Sequence, residues 1–139
     1  MEESHKVYLA RVALTPGSYE LVRVFGDANG FPFHGWFDVP LNSPLTVTPN
    51  TVTYIGRVNA KLRPRQENEF RAGPVLPLVD QAVTGISSST WDIAIDNQAE
   101  KDLAHFRNSF PALAAITIAV EPLPSFDREK AQKAWEDGK

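Results

Sequence analysis

Metal binding and proton transfer both need His or carboxylate side chains to converge, and this chain holds two sets to consider. One is the three histidines, His5, His34 and His105; the other is the acidic run Asp92, Asp96, Glu100 and Asp102. His5 precedes the first β-prone run and His105 falls on the exposed side of a helical pattern, so a solvated role fits both. The acids span a strand-to-helix junction. A calcium loop would set them as Asp-x-Asn/Asp-x-Asn/Asp-Gly, and this spacing differs. Asp96 or Asn97 is instead placed to cap the helix, and Glu100 and Asp102 lie where the helix dipole favours negative charge. There are no cysteines, which removes disulfides, thiolate nucleophiles and Cys-ligated zinc. Ser87-Ser88-Ser89 reads as a polar linker without a nucleophile elbow, and Gly26 to Gly30 lacks the Lys-Ser/Thr end of a phosphate loop. No catalytic residue, metal or cofactor is therefore expected. The rival reading is a small metal-dependent hydrolase built from Asp92, Asp96, His34 or His105.

The segment Phe31-Pro32-Phe33-His34-Gly35-Trp36-Phe37 is a better candidate for binding. At period two, Phe31, Phe33, Gly35, Phe37 and Val39 share one face, while His34, Trp36 and Asp38 share the other. Phe33, His34 and Trp36 could offer a stacking surface to a sugar, a peptide or another subunit. The competing role is packing, with the Phe face as core and Trp36 partly covered. Trp91 and Trp135 read as packing anchors, Trp135 tying down a terminal helix.

The elements that position these residues are mostly strands. Lys6 to Leu14 reads as a strand, turned by the Thr15-Pro16-Gly17 corner into an antiparallel partner, Ser18 to Phe25. Pro pre-sets the first corner position and Gly supplies the positive φ of a type II turn. In the partner, Tyr19, Leu21 and either Val24 or Phe25 face the core. Gly26 to Gly30 is a turn cluster and Phe31 to Val39 the next strand. Pro44 to Val47 and Thr51 to Leu62 flank a second corner at Pro49-Asn50. Arg63 to Pro77 reads as a long loop, functional or mobile at such a length. Leu78 to Val83 and Thr90 to Ile95 read as strands separated by Gly85 to Ser89. A helix starts at Asn97 with Glu100 in a capping-box pattern, turns Ala99, Leu103 and Phe106 inward, and stops at Phe110-Pro111. Ala114 to Val120 is a last strand. Ser125 caps a terminal helix over Asp127 to Glu136, with Gly138 just past its end.

These elements predict one domain over residues 1–139, mainly β: an antiparallel sandwich of about seven strands with one or two peripheral helices. The alternative is α+β, a single antiparallel sheet covered by the helices. The composition of 42% hydrophobic and 22% charged residues suits a globular chain. A net charge of −3 argues against non-specific nucleic-acid binding, which depends on Lys and Arg neutralising phosphates. No apolar run nears the ~20 residues that span a bilayer.

The order Pro16 to Leu21, Val52 to Gly56, Ile95 to Asn97 and Asp102 to Pro111 resembles bacterial envelope proteins. Many of these look like lipoproteins carrying a transthyretin-like or carboxypeptidase-regulatory-like β-sandwich. The resemblance implies a periplasmic or outer-membrane-associated domain and supplies no catalytic residues. No signal peptide or lipobox Cys is visible in the chain, so a cytoplasmic location is the alternative. The expected function is a non-catalytic binding or structural accessory module with a protein or glycan partner. A homodimer through an edge strand or the aromatic patch is compatible with it.

Overall fold

A long hairpin dominates the computed structural model, which describes residues 6–30, 33–76, 81 and 85–138. Strand β1 (Gly17–Gly30) runs antiparallel to β2 (Phe33–Val47), in register from Gly17 opposite Val47 to Gly30 opposite Phe33. The turn expected at Gly26 to Gly30 is therefore strand, and the predicted Phe31 to Val39 strand continues to Val47. The ladder shifts between Leu21 and Arg23, where Val22 alone faces the two residues Leu41 and Asn42. Asn42 takes the left-handed conformation (φ 47°) that Asn tolerates and bulkier residues do not. Gly35 and Val39 are buried and Leu41 is 3% exposed, so the odd positions of β2 supply the inner face. Phe37 meets Trp91 edge to face, with centroids 6.3 Å apart.

The Pro-Gly corner does not make a hairpin. Gly17 sits at φ 153°, where a type II turn needs about +80°. The chain bends at Pro16 without closing a hairpin, and residues 6–15 form no strand. The second corner does adopt the conformation its residues favour, with Asn50 at φ 52° and the Thr51 hydroxyl donating to the Pro49 carbonyl (2.9 Å). It nevertheless leads β2 away from the next strand. β3 (Val52–Tyr54) pairs in parallel with β6 (Ile118–Val120), and the Glu121 and Leu123 amides continue that ladder onto Tyr54 and Ile55. Gly56, at φ 103°, breaks the single strand predicted for Thr51 to Leu62 into β3 and β4 (Arg57–Pro64). Because β3 is only three residues long, the expected Ala114 to Val120 strand shrinks to match it.

β4 pairs antiparallel with β5 (Ser89–Asp96). Between them, residues 65–76 form a strap rather than a free loop. The Asp38 amide donates to the Ala72 carbonyl (2.7 Å), and the Ala72 amide donates to the Ser89 carbonyl (2.8 Å), joining β2 to β5. Phe70 and Ala72 have no exposed surface. The Trp91 indole N–H donates to the carbonyls of Asp38 (2.8 Å) and Ala72 (3.2 Å) at the same junction. The strand expected over Leu78 to Val83 lies, apart from Gln81, outside the described residues.

Two helices complete the described fold. α1 (Ala99–Ser109) starts without a side-chain cap on Gln98; the Asn97 side chain accepts instead from the Ala99 amide (3.1 Å). A 3₁₀ turn at Pro111–Leu113 follows it. α2 (Arg128–Asp137) is capped by Asp127, which accepts from the Lys130 amide (3.0 Å), so the expected Ser125 cap gives way to a residue two positions later. The chain is thus mostly strand with two helices, its described strands lying in three two-stranded sheets.

Gly73 tests the strap directly. A Cβ there would lie 2.3 Å from the Trp36 carbonyl oxygen and 2.4 Å from Cγ2 of Ile86. Gly73→Ala is expected to cost about 1–3 kcal/mol in urea unfolding by overpacking. Gly138→Ala, at the exposed chain end, should stay within about 0.5 kcal/mol of the parent.

Candidate functional site

Two polar groupings and one aromatic face could carry function. The most buried is centred on Asp102, 5% exposed on α1. The Tyr54 hydroxyl donates to Asp102 Oδ2 (2.6 Å), and Arg57 donates through Nε to Oδ2 (3.2 Å) and through Nη2 to Oδ1. The Gln98 amide donates in turn to the Tyr54 oxygen (3.3 Å). The Arg57 guanidinium holds the Asp102 carboxyl below the usual carboxylate range, while burial, then the bond to Asp102, raises the Tyr54 phenol. Both carboxylate oxygens are engaged in joining α1 to β3 and β4. This also corrects the predicted inner stripe of α1: Ala99, Leu103 and Phe106 are only half-buried, and the acid between them is the buried residue.

The second grouping surrounds Glu69 on the strap. Arg63 donates to both its oxygens (2.9 and 2.7 Å), the Gln66 amide to Oε2 (2.9 Å) and Arg128 to Oε1 (3.2 Å). Arg63 foremost, then the Gln66 amide, lowers the Glu69 carboxyl to about 2. Arg128 also donates to the Trp91 carbonyl (2.8 Å) and lies over the Phe70 ring, 4.6 Å from its centroid. Gln132 accepts from the Phe70 amide (2.8 Å) and donates to the Asn68 carbonyl (2.6 Å). Helix α2 therefore pins the strap.

The four acids do not converge. Asp92 accepts from Arg63 (2.8 Å), Asp96 from the Asn59 amide group and Asp102 from Tyr54 and Arg57, while Glu100 is exposed. His105 is exposed on α1, His5 and the side chain of His34 lie outside the described residues, and among the described residues no three His, Cys, Asp or Glu side chains form a group able to hold a metal. A shallow groove of about 190 Å³, lined by Leu45, Thr53, Ile55, Glu121 and Pro122 among others, includes none of the residues of either ionic grouping.

The outer face of the hairpin is different in kind. Phe25 stands opposite Asp38 and Asp27 opposite Trp36, so Phe25 and Trp36 are diagonal neighbours on one face. Phe25 is 76% exposed and Trp36 38%. Arg23 reaches along this face to Asp38 (2.9 Å), whose carboxyl burial nevertheless raises above the usual range. The Trp36 amide donates to Gln81 Oε1 (2.6 Å), fixing the backbone beneath the ring. Trp36 and Asp38 thus share the face that period two assigns them. The side chains of the other two candidates, Phe33 and His34, lie outside the described residues. Phe25 is the residue the sequence reading missed. Phe25 keeps the parity of Tyr19 and Leu21, since the extra residue of the register shift lies on β2, but past that shift this face of the hairpin is open and Phe25 is exposed.

The chain matches no protein-family model, no curated protein and no solved structure. Among the described residues no helix is long and apolar enough to cross a membrane.

Two predictions follow from the ionic groupings. Asp102→Ala leaves Arg57 and Tyr54 unpaired and should cost about 3 kcal/mol; Tyr54→Phe should cost about 1–2 kcal/mol. A double-mutant cycle by chemical denaturation should show the two coupled. For Glu69, the folded-state value of about 2 lies below the ordinary 4.5. Its contribution is complete above the unfolded value and is lost as pH falls from 4.5 through 2. Glu69→Gln should therefore flatten the stability-against-pH curve in that window and lower stability at neutral pH.

Proposed function

We propose that this protein is a non-catalytic binding or structural accessory module of the bacterial cell envelope, of β-sandwich type, that binds through the outer face of the β1–β2 hairpin. The observation that carries this reading is the exposed Phe25–Trp36 pair, flanked by Arg23, Asp27 and Asp38. The groups with the most shifted ionisation, by contrast, are engaged in joining elements: Glu69 and Arg63 hold the strap, while Asp102, Tyr54 and Arg57 hold α1. Two aromatic rings with acidic neighbours suit a sugar ring, whose C–H face stacks and whose hydroxyls donate to carboxylates, or an aromatic-containing peptide. His34 occupies a register position of the same parity as Trp36, and Phe33 the alternate one, so the proposed surface extends toward the hairpin tip. The envelope assignment, and with it the transthyretin-like or carboxypeptidase-regulatory-like kinship, rests on the pieces Pro16 to Leu21, Val52 to Gly56, Ile95 to Asn97 and Asp102 to Pro111.

A glycan array and a peptide panel test the binding reading. A ligand found in either should lose about tenfold or more in affinity on Trp36→Ala or Phe25→Ser, with the unfolding midpoint unchanged. Binding that survives both substitutions would show that the ligand sits elsewhere. Fractionation of the native gene product tests the compartment, and recovery in the cytosol alone would overturn the envelope assignment.

A further inference from the structure

We propose that two copies of this chain associate reciprocally, the 6–14 segment of each adding a strand to the outer edge of β1 in the other. It shares one residue, Phe25, with the proposed binding face, and it is tested by mass and cross-linking where that reading is tested by ligand affinity.

The first observation is an apolar segment without a strand partner. Residues 6–15 are in no sheet, and Val7, Tyr8 and Val12 are 67%, 69% and 78% exposed. The second is an open edge. β1 is fourteen residues long and pairs with β2 on one side only; among the described residues no backbone hydrogen bond reaches its other side. A free edge of that length, carrying the half-exposed Val22 and Val24, is a ready template for strand addition.

The two features match at four pairs. In the antiparallel register centred between Pro16 and Gly17, Tyr8 faces Phe25, Leu9 faces Val24, Val12 faces Leu21, and Lys6 faces Asp27. Ring meets ring, aliphatic meets aliphatic, and opposite charges meet. A register two residues away would set Tyr8 against Arg23 or Asp27.

Within one chain this register would close as a hairpin at Pro16-Gly17, but the chain bends there without pairing residues 6–15 to β1. Gly17 stands at φ 153°, and the Tyr19 hydroxyl bonds back to the Thr15 carbonyl (2.6 Å) and hydroxyl (2.9 Å). The Arg11 guanidinium lies 4.2 Å from the centroid of the Phe110 ring at the end of α1. With the hinge open, the same contacts form between two copies. The centred register then places a two-fold axis between Pro16 and Gly17, with the paired segments on either side of the prolines. Each copy gives one strand and receives one, so the assembly closes as a dimer instead of growing into a fibre.

The absence of native cysteines makes the test direct. Light scattering on the full chain should give twice the monomer mass. Tyr8→Cys chains mixed with Phe25→Cys chains should cross-link on oxidation into a heterodimer. Val12→Asp, at a site exposed in the single chain, should weaken dimerisation about tenfold or more without changing the unfolding of the monomer. A monomeric mass at high concentration would overturn the proposal. So would a Tyr8→Cys/Phe25→Cys double variant that cross-links within one chain, since the hairpin would then be closed. A dimer that persists after removal of residues 1–14 would place the interface elsewhere and equally overturn it.

Discussion

The two backbone hydrogen bonds of Ala72 hold the described fold in one piece. Its carbonyl accepts from Asp38 on β2 and its amide donates to Ser89 at the start of β5. Among the described residues, no other backbone hydrogen bond links the hairpin to the β4–β5 pair through the strap. A single residue can serve this way only if its backbone is dry and fixed, because a buried amide without its partner costs more than the bond contributes. Phe70 and Ala72, both fully buried, provide the dryness, and Trp91 covers the same junction with its indole. Gly73 gives the close approach to Trp36 that the arrangement requires.

That requirement accounts for the concentration of charge around the strap. An irregular segment has no ladder of its own to satisfy it, so side chains must supply the fixation. Arg63 and Arg128 converge on Glu69, and Gln132 satisfies the amide of Phe70 and the carbonyl of Asn68. The final helix is thereby necessary to a segment some sixty residues earlier. The polar network is worth less as electrostatics, since its members remain partly exposed. Its value lies in geometry: three donors around one carboxylate permit few positions for the strap.

Some of this was legible from residue order. The alternation of Gly35, Phe37 and Val39 against Trp36 and Asp38 survives in the hairpin because period two is a property of the strand alone. The extent of β5, the stop after Phe110 and the terminal helix are likewise local. What was not legible is the choice of partner. Pro16-Gly17 and Pro49-Asn50 are both good corner sequences, and the chain bends at each, yet neither joins two strands that pair with each other. The parallel pairing of β3 with β6 spans more than sixty residues. The Asp102 grouping has the same difficulty, since Tyr54 and Arg57 lie well over forty positions from the carboxylate they engage. Strap burial was hidden for another reason: its prolines and charges read as solvent-exposed loop, and only the backbone bonds of Ala72 make it core.

The acidic run illustrates how a local pattern misleads when its partners are distant. Asp92, Asp96 and Asp102 look like a cation site when counted along the chain. Across the sheet they meet β4, where Arg63, Asn59 and Arg57 recur at alternate positions. β4 thus carries a row of donors matched to a row of acceptors on β5 and α1, and each carboxylate is engaged by a donor of its own. A cation would have to displace those donors, Arg57 from a largely buried carboxylate among them. Pairing of this kind fixes the register of β4 against β5 and the seat of α1. The hairpin differs: among the described residues it carries an exposed Phe25 and a β1 edge that no backbone hydrogen bond reaches.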